Sequence, residues 1–148
     1  MKTSFLIFAL ILFTAIGFNS CSKSSTEVAD TTVTYKATIN GASEVPVNAS
    51  MATGTATFTY NTVTYILSGT VTFSGLTPTG AHIHKGALGV AGGVIFTLSS
   101  APITSPISYT SVALDATQRA DLMANMYYIN LHSAAFPGGE IRGQLVKQ

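Results

Sequence analysis

The three histidines of this chain lie in two short segments that alternate in the manner of β-strands. His82 and His84 lie in Gly80-Ala-His-Ile-His-Lys-Gly86, and His132 ends the segment Tyr128-Ile-Asn-Leu-His132. Because successive side chains of a strand point to opposite faces, His82 and His84 share a face, with Cα atoms about 7 Å apart. Imidazole nitrogens at this spacing, joined by a third, can hold one zinc or copper ion.

A structural role would produce the same pattern. A His-x-His pair is common by chance, and only Glu44 and Glu140 offer well-placed carboxylates beside it. The sequence therefore leaves two interpretations open. In the first, the histidines are hydrogen-bonded structural side chains or face a partner. In the second, His82, His84 and His132 bind copper or zinc.

Further polar residues lie on the predicted strand faces near the histidines. Asn130 shares a face with His132, and Glu140 shares a face with Arg142. The connection 133–139 contains a Pro-Gly-Gly turn and predicts a hairpin. If the hairpin closes symmetrically, His132 faces Glu140 and Asn130 faces Arg142, so that Arg142 could pair with Glu140 or donate to Asn130. The predicted structural or recognition cluster consists of Glu44, Asn130, Glu140 and Arg142.

The sequence lacks the motifs of common catalytic and nucleotide-binding sites. It has no Gly-x-Ser-x-Gly nucleophile elbow and no Walker-type phosphate loop. The glycine-rich stretch 85–93 joins two predicted strands, which indicates a flexible connection beside the His pair. The 7 Lys and Arg and the 6 Asp and Glu are dispersed along the chain, so nucleic-acid binding is not expected. We expect a protein that is not an enzyme.

Alternation of apolar and polar residues predicts the elements that position these side chains. One short helix is predicted over 116–125, capped by Asp115 with Gln118 three residues later, and Leu122 and Met123 are available for the core. The fold class is therefore all-β, a Greek-key-like β-sandwich or barrel with one short helix. Strands are predicted near 33–39, 55–60, 62–68, 69–75, 81–84, 93–99, 107–114, 126–132 and 140–146.

An apolar segment near the start of the chain predicts export. Residues 4–18 carry no charge and follow a single Lys, which is the layout of a signal peptide over residues 1–20. Cys21, the one cysteine in the sequence, follows directly, and the small Ser20 before it resembles the end of a lipobox. We predict a lipidated Cys21 that begins a flexible linker over 21–31, and a single β domain over 32–148.

Lipid on Cys21 would anchor the protein to a membrane. The segment that follows Cys21 lacks the acidic run that resembles a surface-export signal. The expected location is the cell envelope, with preference for the outer membrane, and the expected partners are the membrane and a protein or other envelope component.

A series of short motifs runs through the predicted β domain. They are Asn40-Gly-Ala-Ser-Glu-Val-Pro46, Gly54-Thr-Ala56, Ser74-Gly-Leu76, Ala81-His-Ile-His84, Gly86, Gly92-Gly93-Val94, Tyr128-Ile-Asn-Leu-His132 and Pro137-Gly-Gly-Glu-Ile-Arg-Gly143. In this order they resemble a known family, the CHRD domain, named for its repeats in chordin. The resemblance covers roughly residues 33–145 and implies an extracytoplasmic β-sandwich-like module, with no reaction or ligand to carry over. We therefore predict a lipid-anchored protein with a non-enzymatic binding or structural role, and copper or zinc binding as the alternative.

Overall fold

A computed structural model describes residues 31–148, which form nine β-strands and one α-helix. The predicted signal peptide, Cys21 and all but the last residue of the predicted linker lie outside the described residues. Among residues 31–148, no helix is long and apolar enough to cross a membrane. The elements are β1 (Thr32–Asn40), β2 (Thr53–Asn61), β3 (Leu67–Ser74), β4 (Pro78–Lys85), β5 (Val94–Ser100), β6 (Ile107–Thr110), α1 (Ala116–Met123), β7 (Tyr127–Ser133), β8 (Ile141–Gln144) and β9 (Val146–Lys147).

The strands form one antiparallel sheet in the order β5-β4-β7-β8-β1-β2-β3-β6, with β9 paired to β1. The sheet curls so that its two end strands approach, and the rings of Phe96 on β5 and Tyr109 on β6 have centroids 6.1 Å apart. The result is a nearly closed barrel, which confirms the predicted all-β class. The sheet neighbours β1 and β8, β3 and β6, and β4 and β7 are separated in sequence by other strands, as in a Greek-key-like fold.

Alternate residues of each long strand fill the barrel. Tyr35, Phe58, Ile83 and Ile129 are fully buried at such inward-facing positions, as period-two patterning predicts. Removing this apolar surface from water is the main stabilising contribution to such a fold, at about 25 cal/mol per Å². The other side chains of the same strands face outward, and the three histidines lie on that outer face.

One predicted pair of strands is wrong. Residues 62–68 and 69–75 were expected to be separate strands, but residues 67–74 form the single strand β3. The preceding residues turn because Asn61 Oδ1 accepts hydrogen bonds from the amides of Val63 and Thr64, at 2.9 and 2.8 Å. An Asn side chain that binds its own downstream amides competes with strand pairing. Alternation in this short polar segment therefore does not indicate a strand.

The ends of other elements also differ from the prediction. The segment predicted as a strand over 107–114 leaves the sheet after Thr110, and the one over 140–146 is divided between β8 and β9. The helix begins where predicted, and Asp115 and Gln118 form a capping box. Leu122 is buried, but Met123 is 59% exposed, so its assignment to the core was wrong.

Replacing Ile129 by Ala tests the inward face of β7. Ile129 is 0% exposed, and truncating a buried Ile costs about 2–5 kcal/mol of unfolding free energy through lost burial and the cavity left behind. Urea unfolding of the two proteins measures the difference. Val63→Ala, at a position 67% exposed, is the control and should change stability by no more than about 0.5 kcal/mol. Equal losses in both variants would contradict this core assignment.

Candidate metal centre

The pairing of β4 with β7 positions the three histidines. In this ladder Gly80 lies opposite His132, His82 opposite Asn130, and His84 opposite Tyr128. The residues between them, such as Ile83 and Ile129, point into the barrel. The histidines therefore share the outer face of the sheet, on two adjacent strands, as the alternation predicts.

Gly80 leaves room for the rings to converge. An added Cβ at Gly80 would lie 3.1 Å from His82 Cε1 and 3.8 Å from His132 Cδ2. With no side chain there, the centroids of His82 and His132 approach to 4.9 Å, and each lies 5.7 Å from that of His84. One ring nitrogen from each histidine lies within 4.8 Å of the others. We call these three residues the histidine triad.

Hydrogen bonds fix which nitrogens of the triad are available. His84 Nδ1 lies 2.9 Å from the Gly92 carbonyl oxygen, and His132 Nδ1 lies 3.0 Å from that of Pro137. A carbonyl only accepts, so each Nδ1 carries the proton and each Nε2 carries a lone pair. Both Nε2 atoms, and Nδ1 of His82, are buried without a hydrogen-bond partner. Each histidine thus has one buried ring nitrogen without a partner.

This arrangement fits a metal ion. Leaving a buried polar atom without a partner costs about 1–3 kcal/mol, so three such nitrogens are a substantial penalty that one cation would remove. Zinc bonds of 2.0–2.1 Å place tetrahedral ligand atoms about 3.4 Å apart. The ring nitrogens lie within 4.8 Å of one another, so binding would require them to approach by up to about 1.4 Å. Backbone carbonyls that hold the far nitrogens are the usual support for histidine ligands.

Burial favours the form of His82 and His84 that can bind a metal. Desolvation lowers the pKa of His82, and repulsion from the other two imidazoles lowers it further. Burial also lowers the pKa of His84, although the Gly92 carbonyl partly opposes the shift, and His132 and Arg142 add to it. Lowered pKa values favour the neutral ring, which offers a lone pair.

Tyr128 joins the triad to Arg142. The Tyr128 and His84 rings stack with centroids 5.1 Å apart and an interplanar angle of 14°. Cζ of Arg142 lies 3.5 Å from the centroid of the Tyr128 ring. Because β4 and β8 flank β7 on opposite sides, the stack runs across three strands. A guanidinium in this position is attracted to the ring face by about 0.5–2 kcal/mol.

A loop of residues 86–93, here called the outer loop, covers this face. Gly92 accepts a hydrogen bond from Tyr128 Oη at 3.3 Å in addition to the one from His84, and its amide donates to the same hydroxyl at 3.0 Å. In these hydrogen bonds, side chains of the sheet bind backbone groups of the loop. The remaining donors are Arg142 Nη2 to Ala87 O (3.2 Å) and Val90 O (2.9 Å), and Gln144 Nε2 to Gly86 O (2.9 Å). The stretch predicted to be a flexible connection is therefore tied to the sheet.

Glu44 and Asn130 form a second buried group on this face. Oε1 of Glu44 and Oδ1 of Asn130 are buried and have no donor. A Cβ at Gly139 would lie 2.6 Å from each of these oxygens, and the φ of Gly139 is 136°, so no other residue fits there. Burial raises the pKa of Glu44, while the Val45 amide and Arg142 partly oppose the shift. A proton on Glu44 would supply the donor that this pair lacks.

The hairpin register is confirmed in part. Asn130 lies opposite Arg142, as predicted. Glu140 precedes β8 and does not face His132: its Oε1 accepts from Ser50 Oγ at 2.7 Å, and His132 binds the hairpin backbone instead. The suggested pairing of Arg142 with Glu140 is absent, because the guanidinium donates to carbonyls of the outer loop. The one salt bridge within residues 31–148 joins Lys85 to Asp121, at 2.7 Å.

The structure thus places all seven predicted domain residues on one covered face. His84, Glu44, Asn130, Glu140 and Arg142 are buried, and the other two histidines are partly exposed. The sequence did not predict the stacking of Tyr128 on His84, the hydrogen bond from Gln144 to the outer loop, or the hydrogen bond from Ser50 to Glu140. Because Tyr128 shares a strand face with Asn130, alternation already placed Tyr128 beside the polar cluster. No local pattern could indicate the contact between residues 50 and 140.

The raised pKa of Glu44 predicts a pH-dependent stability. The folded state holds the proton more tightly than the unfolded chain, whose carboxyl titrates near the ordinary value of 4.5. The contribution is fully present below that value and is lost as pH rises through the folded pKa. Glu44→Gln, which stays neutral, should therefore gain stability relative to wild type as pH rises from 4.5. Urea unfolding across pH measures this, and a difference that does not vary with pH would contradict it.

Comparison with known proteins identifies the family of this chain. The family model of the CHRD domain matches residues 35–145. No curated protein and no solved structure matches the chain. The matched range begins within β1 and ends immediately after β8, so it contains every residue of the histidine triad and of the surrounding polar cluster.

Proposed function

Because the chain belongs to the CHRD domain family, we propose that it is a lipid-anchored, non-enzymatic binding protein of the cell envelope that holds one zinc or copper ion in the histidine triad. Membership supports a non-enzymatic domain of the extracellular type, and it does not specify a ligand. The metal is proposed from the side chains of this chain.

The observation that carries the proposal is the convergence of three imidazole rings, each of which has one buried, unpaired nitrogen. In a purely structural cluster, each buried nitrogen would be expected to find a hydrogen-bond partner. Here His84 and His132 each satisfy one nitrogen with a backbone carbonyl and leave the other buried and unpaired. The Nδ1 protons of His84 and His132 are donated to carbonyls, so a hydrogen bond between neutral rings could come only from an N–H of His82, and the Nε2 atoms of His84 and His132 receive none.

The donor set narrows the choice of metal. Three imidazoles suit zinc and copper, whereas calcium and magnesium prefer oxygen ligands. No Cys, Asp or Glu joins the triad within residues 31–148. The backbone carbonyls of Gly92 and Pro137 would orient His84 and His132 as ligands, and Tyr128 would hold Gly92 in place.

Metal titration of the purified protein tests the proposal. Calorimetry with Zn²⁺ and Cu²⁺ should show one ion per chain at micromolar affinity or tighter, and the bound ion should raise the melting temperature. His84→Ala and His132→Ala should each abolish both effects because two imidazoles bind far more weakly than three.

Thr97→Ala is the matched control, since Thr97 lies opposite His82 on β5 and offers no metal ligand. It should bind metal as wild type does. If wild type shows no stoichiometric binding, or if the histidine variants bind as tightly as Thr97→Ala, the metal proposal is wrong and the triad is a structural element.

Lipid anchoring through Cys21 is a separate proposal, supported by the apolar segment 4–18 and the small residue before the cysteine. When cells that express the full chain are grown with radiolabelled palmitate, the wild-type protein should become labelled. Cys21→Ala should carry no label, because no other cysteine exists to receive it, whereas Ser22→Ala should be labelled as wild type. Label that persists in Cys21→Ala would show that Cys21 is not the acceptor.

A further inference from the structure

We infer that a metal ion in the histidine triad takes its fourth ligand from solution, and that this ligand is a small anion. This inference rests on the metal-binding function proposed above. It assigns to the site an exchangeable ligand class that neither the triad nor the family specifies.

The described residues supply three donors and no fourth. The two carboxylates predicted to lie beside the histidines, Glu44 and Glu140, make other contacts. Glu140 accepts from Ser50 Oγ, and Glu44 lies against Asn130 beneath Gly139. Tyr128 uses its hydroxyl on the amide and carbonyl of Gly92. A four-coordinate ion, the usual state of protein-bound zinc, would therefore have one position that residues 31–148 leave open.

Charge decides what suits the open position. Three neutral imidazoles leave the full charge of a divalent ion uncompensated in a site that is largely withdrawn from water, where unbalanced charge is costly. The Arg142 guanidinium is separated from His84 only by the Tyr128 ring and adds charge of the same sign. A negatively charged ligand reduces this cost, and a neutral one does not.

Space limits the ligand to a few atoms. The unpaired nitrogens are enclosed, and the outer loop and the hairpin 133–139 close over His84 and His132. His82 and His132 are partly exposed, whereas His84 is 7% exposed. This limited exposure favours a ligand as small as azide or acetate over a side chain of a protein partner.

Cobalt substitution with anion titration tests this inference on the purified protein. Co²⁺ has visible absorption bands that change with the number and type of its ligands. After one equivalent of Co²⁺ is bound, azide and acetate should each shift these bands saturably at millimolar concentration. Sodium perchlorate at equal ionic strength, a weakly coordinating salt, should not shift them.

The outcomes separate this inference from the proposal on which it rests. Saturable shifts with azide and acetate, absent with perchlorate, support an open anion position. Bound Co²⁺ whose spectrum is unchanged by 100-fold excess of either anion overturns the inference and leaves the metal site standing. Failure of Co²⁺ to bind at all, together with failure of Zn²⁺ and Cu²⁺, overturns both.

Discussion

The antiparallel register between β4 and β7 is the constraint on which the rest of the site depends. Because side chains alternate along a strand, one register fixes two surfaces at once. It sends Ala81, Ile83, Ile129 and Leu131 into the barrel and brings the three imidazoles together outside it. A shift by one residue would exchange the two sets and bury histidines in an apolar core. Hydrophobic burial therefore holds the triad in place, although none of its members belongs to the apolar core.

The barrel has a second buried layer on its outer face, and this layer is polar. It is closed by connections rather than by strands: the segment after β1, the outer loop and the hairpin 133–139. Backbone carbonyls of these connections accept hydrogen bonds from side chains of the sheet, among them His84, Arg142 and Gln144. The unpaired atoms are concentrated at the triad and at the Glu44–Asn130 pair. Gln144 Oε1 is a further unpaired atom on this face, whereas a ligand at the triad and a proton on Glu44 would satisfy the other two groups.

Strand alternation carried most of what the sequence could predict. It identified the inward faces, the shared face of His82 and His84, and, with the short Pro-Gly-Gly connection, the pairing of Asn130 with Arg142. Capping chemistry identified the start of α1. What alternation could not provide was any contact made by a loop, since loop geometry depends on the whole fold. This is why Glu140 was expected beside His132 and why the binding of Arg142 to the outer loop was missed. The turn after β2 was mistaken for a strand because Asn61 acts through a local hydrogen bond that periodicity does not detect.

The manner in which the outer loop is held has an evolutionary consequence. The sheet grips this loop through backbone carbonyls and one amide, and the side chains of Leu88 and Val90 point away, 80% and 54% exposed. Substitutions at these two positions leave the hydrogen bonds that secure the loop untouched. The loop can therefore acquire new surface chemistry while its backbone, and the orientation of His84 beneath it, remain the same. A chain built in this way can diversify what it presents to its surroundings without rebuilding its interior.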